Sequence, residues 1–213
     1  MSAPELTRRD VDGTPNGLIL MLHGGRSESQ EPVDHRSTSW RRSAWMMGHI
    51  TSRAHLAGVS VWLLRYGQRG WNAGVSPHPS PVSDARWGLD QVRHELGTLP
   101  VVLLGHSMGS RTAVAVGDYP SVTGVVALAP WLPVSEPVQP LSGKHLAVAH
   151  GRSDRITSFR ATEEFVRRAG SVAASTEFED MGRAGHYMFR RISSWNDFAV
   201  TRSLAFVQQR VTD

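Results

Sequence analysis

The chain has 213 residues, 40% apolar and 20% charged, with a net charge of +4 carried almost wholly by arginine, since Lys144 is the single lysine. That length suits one domain able to bury roughly 70% of the surface its unfolded chain exposes. Cysteine is absent, which excludes disulfides, thiolate metal sites and cysteine nucleophiles, and no apolar run is long enough to cross a bilayer. The N-terminus lacks a signal peptide's basic and apolar regions, so a cytoplasmic protein with no membrane partner is expected.

Residues 1–16 are polar and punctuated by Pro and Gly, as in an N-terminal arm or edge strand, and 17–213 read as a single domain. A buried strand over 17–22 runs into His23-Gly24-Gly25-Arg26. Segment 35–53 holds four arginines and two tryptophans with no acid after Asp34, which raises a basic patch for nucleic acid. Trp45, Met46, His49, Ile50 and Arg53 recur near helical spacing, however, so 38–57 reads as an amphipathic helix packed on a sheet, and no nucleic-acid partner is expected. A strand over 59–64 and a helix over 82–97 follow, with Asp84 placed to meet that helix's N-terminal dipole. Further on come strand 100–104, helix 108–117 and strand 122–128. Strand 145–150, helix 158–169, strand 174–178 and helix 194–210 complete the alternation. Such alternation predicts an α/β fold: a mostly parallel central sheet with helices on both faces.

The strand over 100–104 drives straight into Gly105-His106-Ser107-Met108-Gly109. A serine on a strand-to-helix turn is lifted out of the sheet, where its hydroxyl can act as a nucleophile. Flanking glycines allow helix and strand to approach closely, and the Met108 N–H, first in the helix, faces any oxyanion formed at Ser107. A phosphate loop is the rival strand-to-helix turn. It needs a second glycine five residues after the first, followed by Lys and Ser/Thr, whereas five residues after Gly105 stands Ser110, with Arg111 next.

A serine hydroxyl needs a histidine base and a carboxylate to orient that base, and hydrolases with this turn carry them in the order Ser, acid, His. Asp154, in the polar turn after strand 145–150, is the candidate acid, with Asp180 in reserve. His186, after Gly185 in the loop before the last helix, is the candidate base, with His150 the competitor. His106 reads as a packing and hydrogen-bonding group. Gly25 is the second oxyanion donor, with Arg26 the alternative. Trp71, Trp131 and Tyr187 are candidate pocket walls, and Arg26 could face a substrate carboxylate. No histidine pair has metal-ligand spacing, so neither metal nor other cofactor is expected. Segment 130–144 has four prolines and no helical periodicity, which leaves no room for a lid and predicts an open cleft.

Taken together, the chain resembles the serine esterase branch of the α/β-hydrolase fold family, through Leu22-His23-Gly24-Gly25, the turn at 105–109, His150-Gly151-Arg152-Ser153-Asp154 and Gly185-His186. Residues 61–71 are similar to the small dienelactone-hydrolase-like members, although dienelactone hydrolases proper carry a cysteine nucleophile, which this chain lacks. The resemblance implies a triad of Ser107, Asp154 and His186, oxyanion donors Gly25 and Met108, and cleavage of a small-molecule carboxylic ester or thioester. The same residues would serve acyl transfer, amide cleavage or carbon–carbon hydrolysis, and the scaffold alone would serve as a ligand-binding module.

Overall fold

A computed structural model describes residues 3–74 and 80–209. In chain order the elements are β1 (Glu5–Arg9), β2 (Gly17–Leu22), α1 (Thr38–Leu56), β3 (Val59–Arg65), α2 (Ser80–Leu96), β4 (Val101–His106), α3 (Met108–Ala115), β5 (Val122–Leu128), β6 (His145–His150), α4 (Phe159–Ala169), β7 (Ser175–Asp180) and α5 (Ile192–Gln208). The strands form one seven-stranded sheet in the order β1-β3-β2-β4-β5-β6-β7. Only β1 is antiparallel, pairing Glu5 with Arg65 at the outer edge.

Both sheet faces are covered, which is why the central strands are continuous apolar runs and not alternating ones. Along β2, Leu18, Leu20 and Leu22 face one core with α2, α3 and α4, while Ile19 and Met21 face a second core with α1 and α5. The strands β2, β4 and β5 are buried throughout. Each fully buried Leu, Ile or Val contributes about 1.5–3 kcal/mol, so this paired core is the main stabilising term.

Several boundaries differ from the expected ones. β4 continues two residues past 104, because Gly105 and His106 still pair with Ala127 and Leu128. α3 stops at Ala115, two residues short of 117. α4 starts at Phe159 because Ser158 is its cap, accepting the Ala161 N–H at 3.2 Å. β7 extends to Asp180, and α5 begins at Ile192; residue 210, where its helix was predicted to end, lies outside the described residues. α2 begins at Ser80, so Asp84 lies beyond its first turn. Instead of meeting the helix dipole, Asp84 accepts the Gly67 N–H at 2.9 Å and braces the loop after β3.

The helix at 38–57 does pack on the sheet, but through Met46, Met47, Ile50 and Ala54. Trp45 and His49 stack edge-on on its outer side, and Arg53 pairs with Asp197 of α5. Between β5 and β6 the only regular element is a 3₁₀ turn, Gln139–Leu141. There is no lid in this connection.

Candidate active site

The chain leaves β2 for β3 on one side, then returns to place β4 on the other, so strand order reverses between β2 and β4. In an open α/β sheet the crevice beyond the carboxyl ends at such a point is where ligands bind. His23-Gly24-Gly25 ends β2 there, and His106-Ser107 ends β4.

Ser107 sits at φ 55°, ψ −119°, a conformation that costs a non-glycine residue about 1–3 kcal/mol and persists only when its surroundings enforce it. The enforcement is visible. Its N–H donates to the Leu128 carbonyl at 3.1 Å, and its own carbonyl accepts from Ser110 at 3.1 Å and Trp131 at 3.2 Å. A Cβ on Gly105 would overlap the backbone of Ser110, and one on Gly109 would overlap the carbonyls of Leu22 and His23. Those two glycines let α3 lie against the ends of β4 and β2. Although Ser107 holds the N-cap position of α3, its hydroxyl makes no capping bond. It lies 3.0 Å from His186 Nε2.

His186 Nδ1 is 2.8 Å from Asp154 Oδ2. The loops carrying this pair are zipped together: Arg152 N–H to Gly182 O at 2.7 Å, Ser153 N–H to Ala184 O at 3.2 Å, and Met181 N–H to His150 O at 2.9 Å. The Asp154 side chain is wholly buried. Burial pushes its carboxyl pKa up, but hydrogen bonds from His150, His186 and the Thr157 and Ile156 N–H groups outweigh that and hold it well below the usual carboxylate range. Asp154 is thus an anion facing the imidazole. Thr157 Oγ1 also donates into the cluster, 2.9 Å from Asp154 Oδ2 and 3.2 Å from His186 Nδ1. The sequence reading missed Thr157, whose signal was its position three residues after the acid. Asp180 is engaged elsewhere, by Arg152 at 2.6 Å and the Gly182 N–H at 2.8 Å.

Two further histidines shape the site. His23 Nε2 accepts the Tyr66 N–H at 3.2 Å, so its ring proton is on Nδ1 and goes to the Gly24 carbonyl at 2.6 Å. In a trans peptide the N–H opposes the carbonyl, so the Gly25 N–H is turned away from that ring. The Arg26 N–H is committed to the Arg69 carbonyl at 2.8 Å, which removes it as the alternative donor. His106 donates Nε2–H to the His186 carbonyl at 3.1 Å, bracing the histidine loop. Burial pushes the pKa of His23 down to about 4 and that of His106 to about 3, so both rings stay neutral.

The cleft over Ser107 has a volume of about 360 Å³, with Gly24, Gly25, His106 and His186 on its floor. Arg26 and Tyr187 line it, Tyr187 edge-on to His186. Trp71 and Trp131 do not line this cleft. They clasp the Arg111 guanidinium at 4.1 and 4.6 Å, a packing role where pocket walls were expected. Arg36, Arg42, Arg69 and Ile156 also line it, and the sequence reading named none of them. Among the described residues no cluster of three or more His, Asp or Glu could hold a metal ion, and no helix is long and apolar enough to cross a membrane.

Residues 19–209 match the model of the alpha/beta hydrolase family, and the chain belongs to that family. Solved structures agree on the fold. Est1E from Butyrivibrio proteoclasticus, seen with ferulic acid bound, is 10% identical over 97% of this chain and 96% of its own, with a TM-score of 0.71. A monoacylglycerol lipase from Paleococcus ferrophilus is 15% identical over 95% and 99%, TM-score 0.67. XC6422 from Xanthomonas campestris, described as a serine hydrolase without a lid, is 16% identical over 93% and 88%, TM-score 0.64. No curated protein matches the sequence.

Proposed function

We propose that this α/β hydrolase is a serine hydrolase that cleaves carboxylic esters or thioesters. The observation that carries the reading is the continuous contact from Ser107 Oγ to His186 Nε2 at 3.0 Å and from His186 Nδ1 to Asp154 at 2.8 Å. Ser107 attacks the carbonyl carbon while His186 takes its proton, and Asp154 stabilises the resulting imidazolium. The N–H groups of Gly25 and Met108 hold the tetrahedral oxyanion. His186 then protonates the departing alcohol or thiol, leaving an acyl group on Ser107. Water, deprotonated by the same imidazole, attacks that acyl group and releases the acid. An esterase-type substrate fits the open, lidless cleft, and lipase and ferulate-binding neighbours support that class by analogy.

Covalent labelling by a fluorophosphonate, followed by intact mass, tests the reading. A single adduct on the wild-type protein, absent from Ser107→Ala and slowed in His186→Ala, is the expected result. Absence of an adduct on folded wild-type protein would overturn it in favour of a ligand-binding module.

A further inference from the structure

Among the described residues, the cleft over Ser107 has only two large apolar side chains in its lining, Ile156 and Tyr187. The rest of the lining is arginine, serine, threonine, histidine and glycine, and its arginines come from the loops after β2 and β3 and from α1. The two apolar groups come instead from the loops that carry the acid and the base. Ile156 stands two residues after Asp154, and Tyr187 follows His186 directly. The apolar surface of the cleft is therefore confined to the His186 side.

Both side chains are held in place and still open to a ligand. Ile156 is 57% exposed, although its N–H is tied to Asp154 Oδ1 at 2.8 Å. Tyr187 is 53% exposed, yet its ring is held from two sides. It lies edge-on to His186 with ring centres 5.5 Å apart, and stacks on Phe189 at 5.8 Å with the planes 23° apart. Its carbonyl accepts the Arg42 Nε–H at 3.1 Å. A ring already fixed in direction loses little freedom when a ligand packs on it. Apolar side chains exposed together in a cleft mark where the apolar part of a ligand sits.

The chemistry decides which part of the substrate that is. The oxyanion turns to the N–H groups of Gly25 and Met108. The ester oxygen must come within hydrogen-bond reach of His186 Nε2, which gives it a proton as its bond to the carbonyl carbon breaks. The carbon skeleton on that oxygen then runs past the imidazole, against the side chains beside it. Resting on the serine-hydrolase reading above, we infer that the preferred substrates are esters of alcohols bearing an aromatic ring, with that ring packed on Tyr187 and Ile156 as the alcohol leaves. Offset or edge-on packing of two rings adds to what the apolar burial supplies.

Benzyl acetate and methyl phenylacetate are isomers, with the ring on the alcohol in the first and on the acyl group in the second. The test is the ratio of their kcat/KM values in wild type, Tyr187→Ala, Tyr187→Phe and Ile156→Ala. Wild type is expected to favour benzyl acetate by about tenfold or more. Tyr187→Ala should lower that ratio about fivefold and Ile156→Ala about two- to threefold, the size of one ring contact and of one partly exposed aliphatic contact. Tyr187→Phe should keep it. A ratio near one in wild type, or one unchanged in both alanine variants, would overturn the inference, because a general loss of activity cancels from a ratio. A ratio lost in Tyr187→Phe would overturn the ring contact in favour of the hydroxyl. Fluorophosphonate labelling of the same preparations separates the two claims. If wild type labels but shows no preference, or labels and turns over neither ester, only the leaving-group inference fails. If wild type neither labels nor turns over either ester, the hydrolase reading fails and this inference with it.

Discussion

His150 and His186 meet on one atom, Oδ2 of Asp154, at 3.1 and 2.8 Å. His150 is wholly buried, and its other nitrogen lies 2.9 Å from the Thr162 hydroxyl. The ionised carboxylate can only accept, so His150 Nε2 carries a proton and points at it. His150 therefore fixes which way Asp154 faces. His150→Phe should cost about 1–3 kcal/mol in stability, the usual range for leaving a buried partner unsatisfied. In an ester assay it should lower kcat about tenfold, about 1.4 kcal/mol of barrier, while moving KM less. Urea melts and steady-state kinetics check both, and an unchanged kcat would show that Asp154 holds its orientation without this histidine.

Neutral buried histidines set the acid side of stability. Burial lowers the pKa of His23 from 6.5 to about 4 and that of His106 from 6.5 to about 3. As pH falls below 6.5, the unfolded chain takes up protons at these positions that the folded chain refuses. The unfolded state then binds more protons, so stability falls with falling pH. The loss should run from about pH 6.5 to 4 and amount to several kcal/mol, at about 1.4 kcal/mol for each tenfold difference in proton affinity between the unfolded and folded chain. Asp154, held low, adds its own loss only further down, as pH drops below the usual carboxylate range. Urea midpoints at pH 7, 5.5 and 4.5 should decline for wild type and more gently for His106→Gln. A flat wild-type profile would contradict the neutral assignment.

Legibility in the sequence followed the range of the interactions. The parallel sheet, the turn at Ser107 and the loops bearing Asp154 and His186 were readable because each is a local pattern: an apolar run, then small or polar residues at its carboxyl end. The helix at 38–57 was readable as a helix, yet Trp45, His49 and Arg53 were placed on the packed face when they lie outside it. Periodicity gives a stripe but does not say which edge of the stripe the sheet will cover. Trp71 and Trp131 belonged to Arg111 and not to the cleft, and Arg42 reached the Tyr187 carbonyl from 145 positions away. Such pairings are set by topology, and no single segment carries their signal.

Arg111 is one such pairing with a measurable consequence. Its guanidinium lies between Trp71 and Trp131, and its Nε donates to the buried Glu136 carboxylate at 2.6 Å. Burial pushes the Glu136 pKa up, and Arg111 partly restores it. Arg111→Met would leave that carboxylate buried without its partner, at a cost of about 3–5 kcal/mol near neutral pH. Glu136→Gln added to the same chain should recover much of the loss, because no buried charge then remains. A double-mutant cycle from urea melts checks this, and additive losses would mean that the two side chains act independently.

The close approach of α3 to the end of β2 offers the sharpest test of how the fold builds the site. A Cβ on Gly109 has only backbone to meet, the carbonyls of Leu22 and His23, and backbone cannot rotate aside. Gly109→Ala must lift the start of α3, carrying Ser107 and Met108 away from His186 and Gly25. Overpacking of this kind costs about 1–3 kcal/mol in stability, and even a small misplacement of reacting groups costs about a hundredfold in rate. Fluorophosphonate labelling should therefore slow about a hundredfold while the protein still melts cooperatively. Gly48, in α1, has nothing within 4 Å of its own Cβ direction. Gly48→Ala should raise stability by about 0.5–1 kcal/mol through helix propensity alone and leave the labelling rate unchanged. If Gly109→Ala labels as fast as Gly48→Ala, the strained turn at Ser107 does not depend on that contact, and its geometry must be held by the bonds to Leu128, Ser110 and Trp131 instead.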